Sequence, residues 1–172
     1  MHRVIHRLIN YFPLKNKQPF GNIWHNPVHI IACGFGIGLI PVAPGTFATC
    51  AAVLLYLFLI KLPLWCYILI TLILILIGIP LCGITNRDFG TDDHPAAVWD
   101  EIATFPVVMI GIPFTWYYLL LGFILFRFFD IVKPSFIGWI DHHIHGGLGV
   151  MLDDLAAAIC SLIILHLLTF II

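Results

Sequence analysis

VMLDDLAAAICSLIILHLLTFII (residues 150–172) places two adjacent acids, Asp153 and Asp154, ahead of a run with no further Asp, Glu, Lys or Arg. The run from 155 to 172 approaches the roughly 20 apolar residues that cross a bilayer core. A carboxylate at the centre of such a span costs about 2.5–3.5 kcal/mol on an insertion scale. The acids therefore belong at the mouth of a buried helix, and the fold turns on where the other charges lie.

The 172-residue chain is 61% hydrophobic and only 10% charged, with a mean hydropathy of +1.04. A soluble domain carries about a quarter charged residues, so this composition describes a membrane protein. A net charge of -1 gives no basis for nucleic-acid binding. Arg3, Arg7, Lys15 and Lys17 form the one basic cluster. It lies in an amphipathic lead, residues 1–25, that lacks the compact apolar core of a signal peptide. Residues 26–172 read as a single membrane-embedded domain. Cys33, Cys50, Cys66, Cys82 and Cys160 fall in apolar stretches and never as C-x-x-C, so they read as small packing residues, not disulfides or zinc ligands.

Apolar runs at 47–60 and 64–84, joined by Lys61-Leu-Pro63, predict a helical hairpin. Runs at 102–112 and 114–126, split at Gly111-Ile-Pro113, are each too short to cross a bilayer at 1.5 Å per residue. They read as tilted short spans or a re-entrant pair shielded by protein. The last span is 155–172, and 28–39 reads as an interfacial or partly inserted helix. Arg87, Arg127 and Lys133 sit in the polar stretches 85–101 and 127–154, which the positive-inside rule puts on the cytoplasmic side. The expected fold is an all-α, membrane-embedded bundle with several transmembrane or re-entrant helices. From Thr46 onward every charge except Lys61 gathers in one cytoplasm-facing mouth.

Four stretches could do chemistry there. GFGIGLIPVAPGT (34–46) is neither a dinucleotide fingerprint nor a Walker loop. It does offer Pro44-Gly45-Thr46 at a helix start, which suits an anion, or simply a cap with Thr46 as N-cap. DDHPAAVWDE (92–101) ends in Asp100 and Glu101, a second acid pair meeting an apolar run. Acids favour helix N-termini, but two pairs in one mouth repel unless something offsets them. A hard divalent cation with oxygen ligands would do so. In RFFDIVK (127–133), Arg127, Asp130 and Lys133 fall at i, i+3, i+6 and predict one polar stripe, either an ion-pair ladder or a phosphate-binding face. DHHIHGG (141–147) lacks the spacing of a helical metal pair and reads as interfacial histidines before a Gly146-Gly147 turn.

GFGIGLIPVAPGT, HPAAVWDE, FRFFDIVKP and HGGLGVMLDD, in this order and spacing, resemble bacterial phosphatidylglycerophosphatase A. The resemblance runs from Asn26 to about Ala158. It implies an all-helical, Mg²⁺-dependent protein of the inner membrane that dephosphorylates phosphatidylglycerophosphate. Departures from the family pattern are Ala48 and Thr49 after Pro44-Gly45-Thr46, Thr104 after the Asp-Glu pair, and Ser135-Phe136 after Lys133-Pro134. None removes a charge. Other phosphatase designs do not fit: Cys82 has Asp88 where C-x5-R needs arginine, and neither acid pair is D-x-D.

The expected mechanism is metal-assisted attack by water. Mg²⁺ is held by carboxylates drawn from Asp100, Glu101, Asp153 and Asp154, with Asp93 and Asp130 as further candidates. Arg127 and Lys133 neutralise phosphoryl charge, and Gly45 and Thr46 hold the phosphate. Alternatives are a phosphatase for another phospholipid monoester such as phosphatidic acid, or a non-catalytic scaffold whose charges form an ion-pair lock. Oligomeric state is not legible.

Overall fold

The computed structural model describes residues 23–171, so the basic cluster of the lead lies outside the described residues. Among those described there are helices and no strand. α1 is Pro27–Ala32, followed by a 3-10 segment Gly34–Leu39. Then come α2 Pro44–Leu59, α3 Leu64–Asp88, α4 Trp99–Val108, α5 Trp116–Val132, α6 Ser135–His143 and α7 Gly146–Ile171.

α2 and α3 follow one another across a turn at residues 60–63, with Lys61 over the Phe58 ring, but they do not pair as the expected hairpin: each packs against α4 instead. α3 and α7 are the two helices long and apolar enough to cross a membrane. α3 leaves Leu69, Leu72, Ile73, Leu76 and Ile77 outside the core, an apolar face suited to lipid. At 16 and 17 residues, α2 and α5 are shorter than a full span. The 28–39 segment, expected as one helix, breaks into two short pieces around Cys33, Phe35 and Gly36. Phe35 and Gly36 lie at positive φ.

α4 is the element around which the others pack. Its ten residues cover about 15 Å, too little to cross a bilayer, and Ile102 through Val108 are all buried. Phe105 meets Phe126 of α5 edge-on, with ring centroids 5.8 Å apart. α7 packs against α3, α4, α5 and α6, and its Ala156, Ala157 and Ala158 let the neighbouring helices close in. Residues 102–112 and 114–126 therefore do not form two matched runs. A short buried helix is followed, after the turn at Gly111, by a longer outer one.

α7 begins at Gly146, two turns before the acid pair, which was expected at a helix start. The glycines expected only as a turn do open one at Gly146, where φ is +73°, but Gly147 and Gly149 continue as helix. The physical reason is close approach. A Cβ on Gly147 would lie 1.9 Å from the Ile79 carbonyl oxygen and 2.6 Å from the Gly83 nitrogen, so α3 and α7 touch backbone to backbone there. Gly147→Ala should force these helices apart and cost at least about 1–3 kcal/mol by overpacking. A lowered thermal unfolding temperature in detergent checks this; an unchanged one would mean the helices separate freely.

Candidate active site

Helix polarity brings the motifs to one end of the bundle. α2, α4 and α7 start there, and α3 and α5 finish there. Asp100 and Glu101 lie in the first turn of α4. Asp154 meets them from α7: one ligand atom from each of the three carboxylates lies within 4.8 Å of the others. Asp100 and Asp154 are buried and Glu101 is half-buried. Asp100 Oδ1, Glu101 Oε2 and Asp154 Oδ2 are buried without a hydrogen-bond partner among the described residues. Buried acceptors of this kind are costly when unpaired, and three of them converging fits a hard cation with oxygen ligands. Asp100, Glu101 and Asp154 are thus the residues that could hold a metal.

Adjacent helical residues diverge by about 100°, and Asp153 accordingly faces elsewhere. It accepts a hydrogen bond from Lys133 Nζ, which also lies 2.9 Å from Asp141 Oδ1. Asp153 Oδ1 accepts from the Asp154 backbone N–H at 3.0 Å, so the pairing with Lys133 bears on how Asp154 is presented. Lys133 breaks the expected i, i+3, i+6 stripe. It is the C-cap of α5 in left-handed conformation, φ 43°, which swings it off the helix face toward α6 and α7. The Arg127–Asp130 half of the stripe remains, at 2.6 Å.

Arg127 Nη1 is also 3.5 Å from Glu101 Oε1. Asp130 and Asp93 stand outside the three-carboxylate group, Asp93 exposed in the bend before α4, and both charges are felt at Glu101. Gly45 closes the site from α2. A Cβ there would lie 2.1 Å from Glu101 Oε1 and 3.0 Å from Arg127 Nη1. A side chain here would displace the ends of Glu101 and Arg127. The α2 cap differs from expectation: Ala43 is the N-cap, at φ 47°, and Thr46 sits inside the first turn with its N–H donating to Ala43 O. Two of the departures from the family pattern are accommodated within helices: Thr49 donates to Gly45 O at 2.8 Å and Thr104 to Asp100 O at 2.7 Å. His142 and His143 are exposed on α6, away from the carboxylates, with His143 stacked on Trp139.

Sequence reasoning passed over Asn86, His94 and His29. Asn86, in the last turn of α3, donates to Asp92 O and accepts from His94 N–H, each at 3.1 Å. His94 Nδ1 accepts from Ala96 N–H at 3.1 Å, and burial lowers its pKa, which keeps the ring neutral. His29 of α1 bonds Thr85 Oγ1 at 3.0 Å. The signal available in the sequence was polar residues at the end of an apolar run, which also describes solvent-facing helix ends.

Asp100 and Glu101 lie at the start of a helix that does not span. Burial raises both carboxyls, Asp100 well above its ordinary value and Glu101 to about 7. For Asp100 the charges of Glu101 and Asp154 add to the rise; for Glu101 a hydrogen bond with Asp100 and the charge of Arg127 oppose it. A pKa raised on folding means that the folded chain binds more protons than the unfolded chain above the ordinary carboxylate range. In chelator, thermal stability should be highest on the acid side of this window and fall as pH rises through about 7. A divalent cation held by these carboxylates would replace the protons, so stabilisation by added Mg²⁺ should be larger at pH 8 than at pH 5. Unfolding curves at the two pH values, with and without Mg²⁺, test both signs.

Residues 30–169 match the family model described as phosphatidylglycerophosphatase A. The phosphatidylglycerophosphatase A of Escherichia coli (strain K12) is 39% identical over 142 residues, covering 82% of this chain and 83% of the relative. That of Haemophilus influenzae (strain ATCC 51907 / DSM 11121 / KW20 / Rd) is 41% identical, covering 81% and 86%. A putative phosphatidylinositol-3-phosphatase of Bacteroides thetaiotaomicron is 33% identical, covering 79% and 89%. No solved structure matches. The span of the match, 30–169, contains Gly45, Asp100, Glu101, Arg127 and Asp154, and the chain belongs to the phosphatidylglycerophosphatase A family.

Proposed function

We propose that this chain hydrolyses the terminal phosphomonoester of phosphatidylglycerophosphate, giving phosphatidylglycerol and inorganic phosphate, with Mg²⁺ as cofactor. The carrying observation is the convergence of Asp100, Glu101 and Asp154 within 4.8 Å, each with a buried carboxylate oxygen lacking a hydrogen-bond partner among the described residues. Mg²⁺ bound by these three would polarise the phosphoryl group and lower the pKa of water.

The chain's own groups account for binding and orientation. Arg127, fixed by Asp130 and Glu101, directs its guanidinium at the phosphoryl oxygens, where charge-assisted hydrogen bonds are strongest. Gly45 lets the α2 start approach Arg127, so that the Gly45 N–H and the Thr46 hydroxyl take the opposite side of the phosphate. Lys133 is engaged by Asp141 and Asp153; in this reading it positions Asp154 through Asp153 and contributes positive potential at the mouth. Acyl chains would lie along the apolar faces of α3 and its neighbours. The mouth then faces the cytoplasm of a bacterial inner membrane, in keeping with Arg87, Arg127 and Lys133 at that end.

The relative named as a putative phosphatidylinositol-3-phosphatase supports a second reading, in which the same site acts on another phospholipid monoester. Purified protein in detergent should release phosphate from phosphatidylglycerophosphate only with Mg²⁺, and faster than from phosphatidic acid or phosphatidylinositol 3-phosphate. A reversed preference would favour the second reading. Asp154→Asn should abolish release; metal-independent turnover, or full activity in this variant, would sink the metal assignment. Gly45→Ala, by displacing Glu101 and Arg127, should lower kcat/KM about 10²-fold, and an unaffected rate would remove α2 from the site.

A further inference from the structure

Residues 89–98 connect the end of α3 to the start of α4, and so deliver Asp100 and Glu101 to Asp154. They are held at regular intervals. Thr91 N–H donates to Asn86 O at 3.0 Å, Asp92 O accepts from Asn86 Nδ2 and His94 N–H donates to Asn86 Oδ1. Ala96 N–H donates to His94 Nδ1, and Val98 N–H to Ala32 O at 2.9 Å. The Ala96 carbonyl lies against Gly38, where a Cβ would be 2.0 Å from its oxygen. Asn86 is 1% exposed, and its side chain bonds this segment on both sides of Asp93.

We propose that Asn86 is a positioning residue whose buried carboxamide, bonded to the backbone at Asp92 and His94, sets the affinity of the Asp100–Glu101–Asp154 cluster for a divalent cation. The proposal rests on the reading of that cluster as a metal site. A carboxamide offers a donor and an acceptor in fixed relation, as a peptide unit does, so it can bond the backbone of this turn-rich segment as another peptide group would. The adjacent residue Thr85 is bonded to His29 of α1. Asn86 therefore projects from an end of α3 that is tied to α1, and neither helix carries a cluster carboxylate. Groups that orient ligands from outside the coordination sphere typically change metal affinity or activity 10–100-fold when removed.

The test is Mg²⁺ and Mn²⁺ binding to the full chain in detergent by isothermal titration calorimetry, beside the Mg²⁺ dependence of phosphate release. Asn86→Ala should weaken cation binding about tenfold or more, with most of kcat recovered at saturating Mg²⁺. Asn86→Asp keeps the acceptor for His94 N–H, loses the donor to Asp92 and should fall between. Ser161→Ala removes a buried hydrogen bond to Ala157 O elsewhere on α7 and should leave cation affinity unchanged. Unchanged affinity in Asn86→Ala, with only a lower unfolding temperature, would overturn the proposal. So would failure of both Asn86 variants to fold, which would make the residue a determinant of folding. A wild-type chain that neither binds Mg²⁺ nor needs it would instead overturn the metal reading, and this proposal with it.

Discussion

Three carboxylates held together with little water is the constraint that the rest of the structure serves. Each loses hydration on burial, and each raises the cost of ionising the others. Asp100 and Glu101 gain from the N-terminus of α4, where backbone N–H groups favour negative charge. Asp154 has no such support, because it lies two turns inside α7. Arg127 reaches Glu101 and Asp130, while Lys133 is spent on Asp153 and Asp141. Two cations thus face six acids, and the excess negative charge is concentrated at the unpartnered oxygens of the cluster. A folded chain can carry that arrangement when protons or a cation occupy it, which ties the stability of the bundle to the occupancy of the site.

The same constraint explains the shape of α4. A helix that crossed the bilayer would place its start at one surface and its end at the other, with lipid on at least one side. α4 instead stops after ten residues and is enclosed by α2, α3, α5 and α7. Its carboxylates are therefore enclosed by protein. They do not need to enter hydrocarbon. Tyr67 supports the inner end of this helix by donating its hydroxyl to the Pro106 carbonyl, inside the bundle. Pro106 itself sits late in α4, where its missing N–H costs one bond close to the helix end.

Much of this was legible from charge and hydropathy alone. The turn between α2 and α3, the single charged end and the pairing of two acid-bearing segments follow from the rule that charges avoid hydrocarbon. The helix starts were less legible. Gly147 and Gly149 read as breakers by propensity, yet Gly147 meets Ile79 and Gly83 of α3 and Gly149 meets the Ile144 carbonyl, contacts that leave no room for a side chain. That shifts the Asp153-Asp154 pair from the helix mouth to its interior. Lys133 was assigned to a stripe by spacing, but spacing presumes continuous helix, and the following Pro134 ends α5 one residue earlier. Asn86 was invisible because an amide at the end of an apolar run looks the same whether it meets water or a folded loop.

One glycine constrains the packing beneath the site more tightly than the charged groups do. Long side chains such as Arg127 and Glu101, which lie against Gly45, can readjust by rotamer, whereas the backbone contact at Gly147 cannot move without moving whole helices. Gly147 sets how near α7 comes to α3, and through the 89–98 segment α3 sets where α4 begins. Gly45 sets how near α2 comes to Glu101 and Arg127. The separation of Asp154 from Asp100 and Glu101 is therefore a property of helix packing, with side-chain conformation as a second-order adjustment. Substituting a charge alters what the cluster can bind; substituting Gly147 alters how the helices that carry it meet.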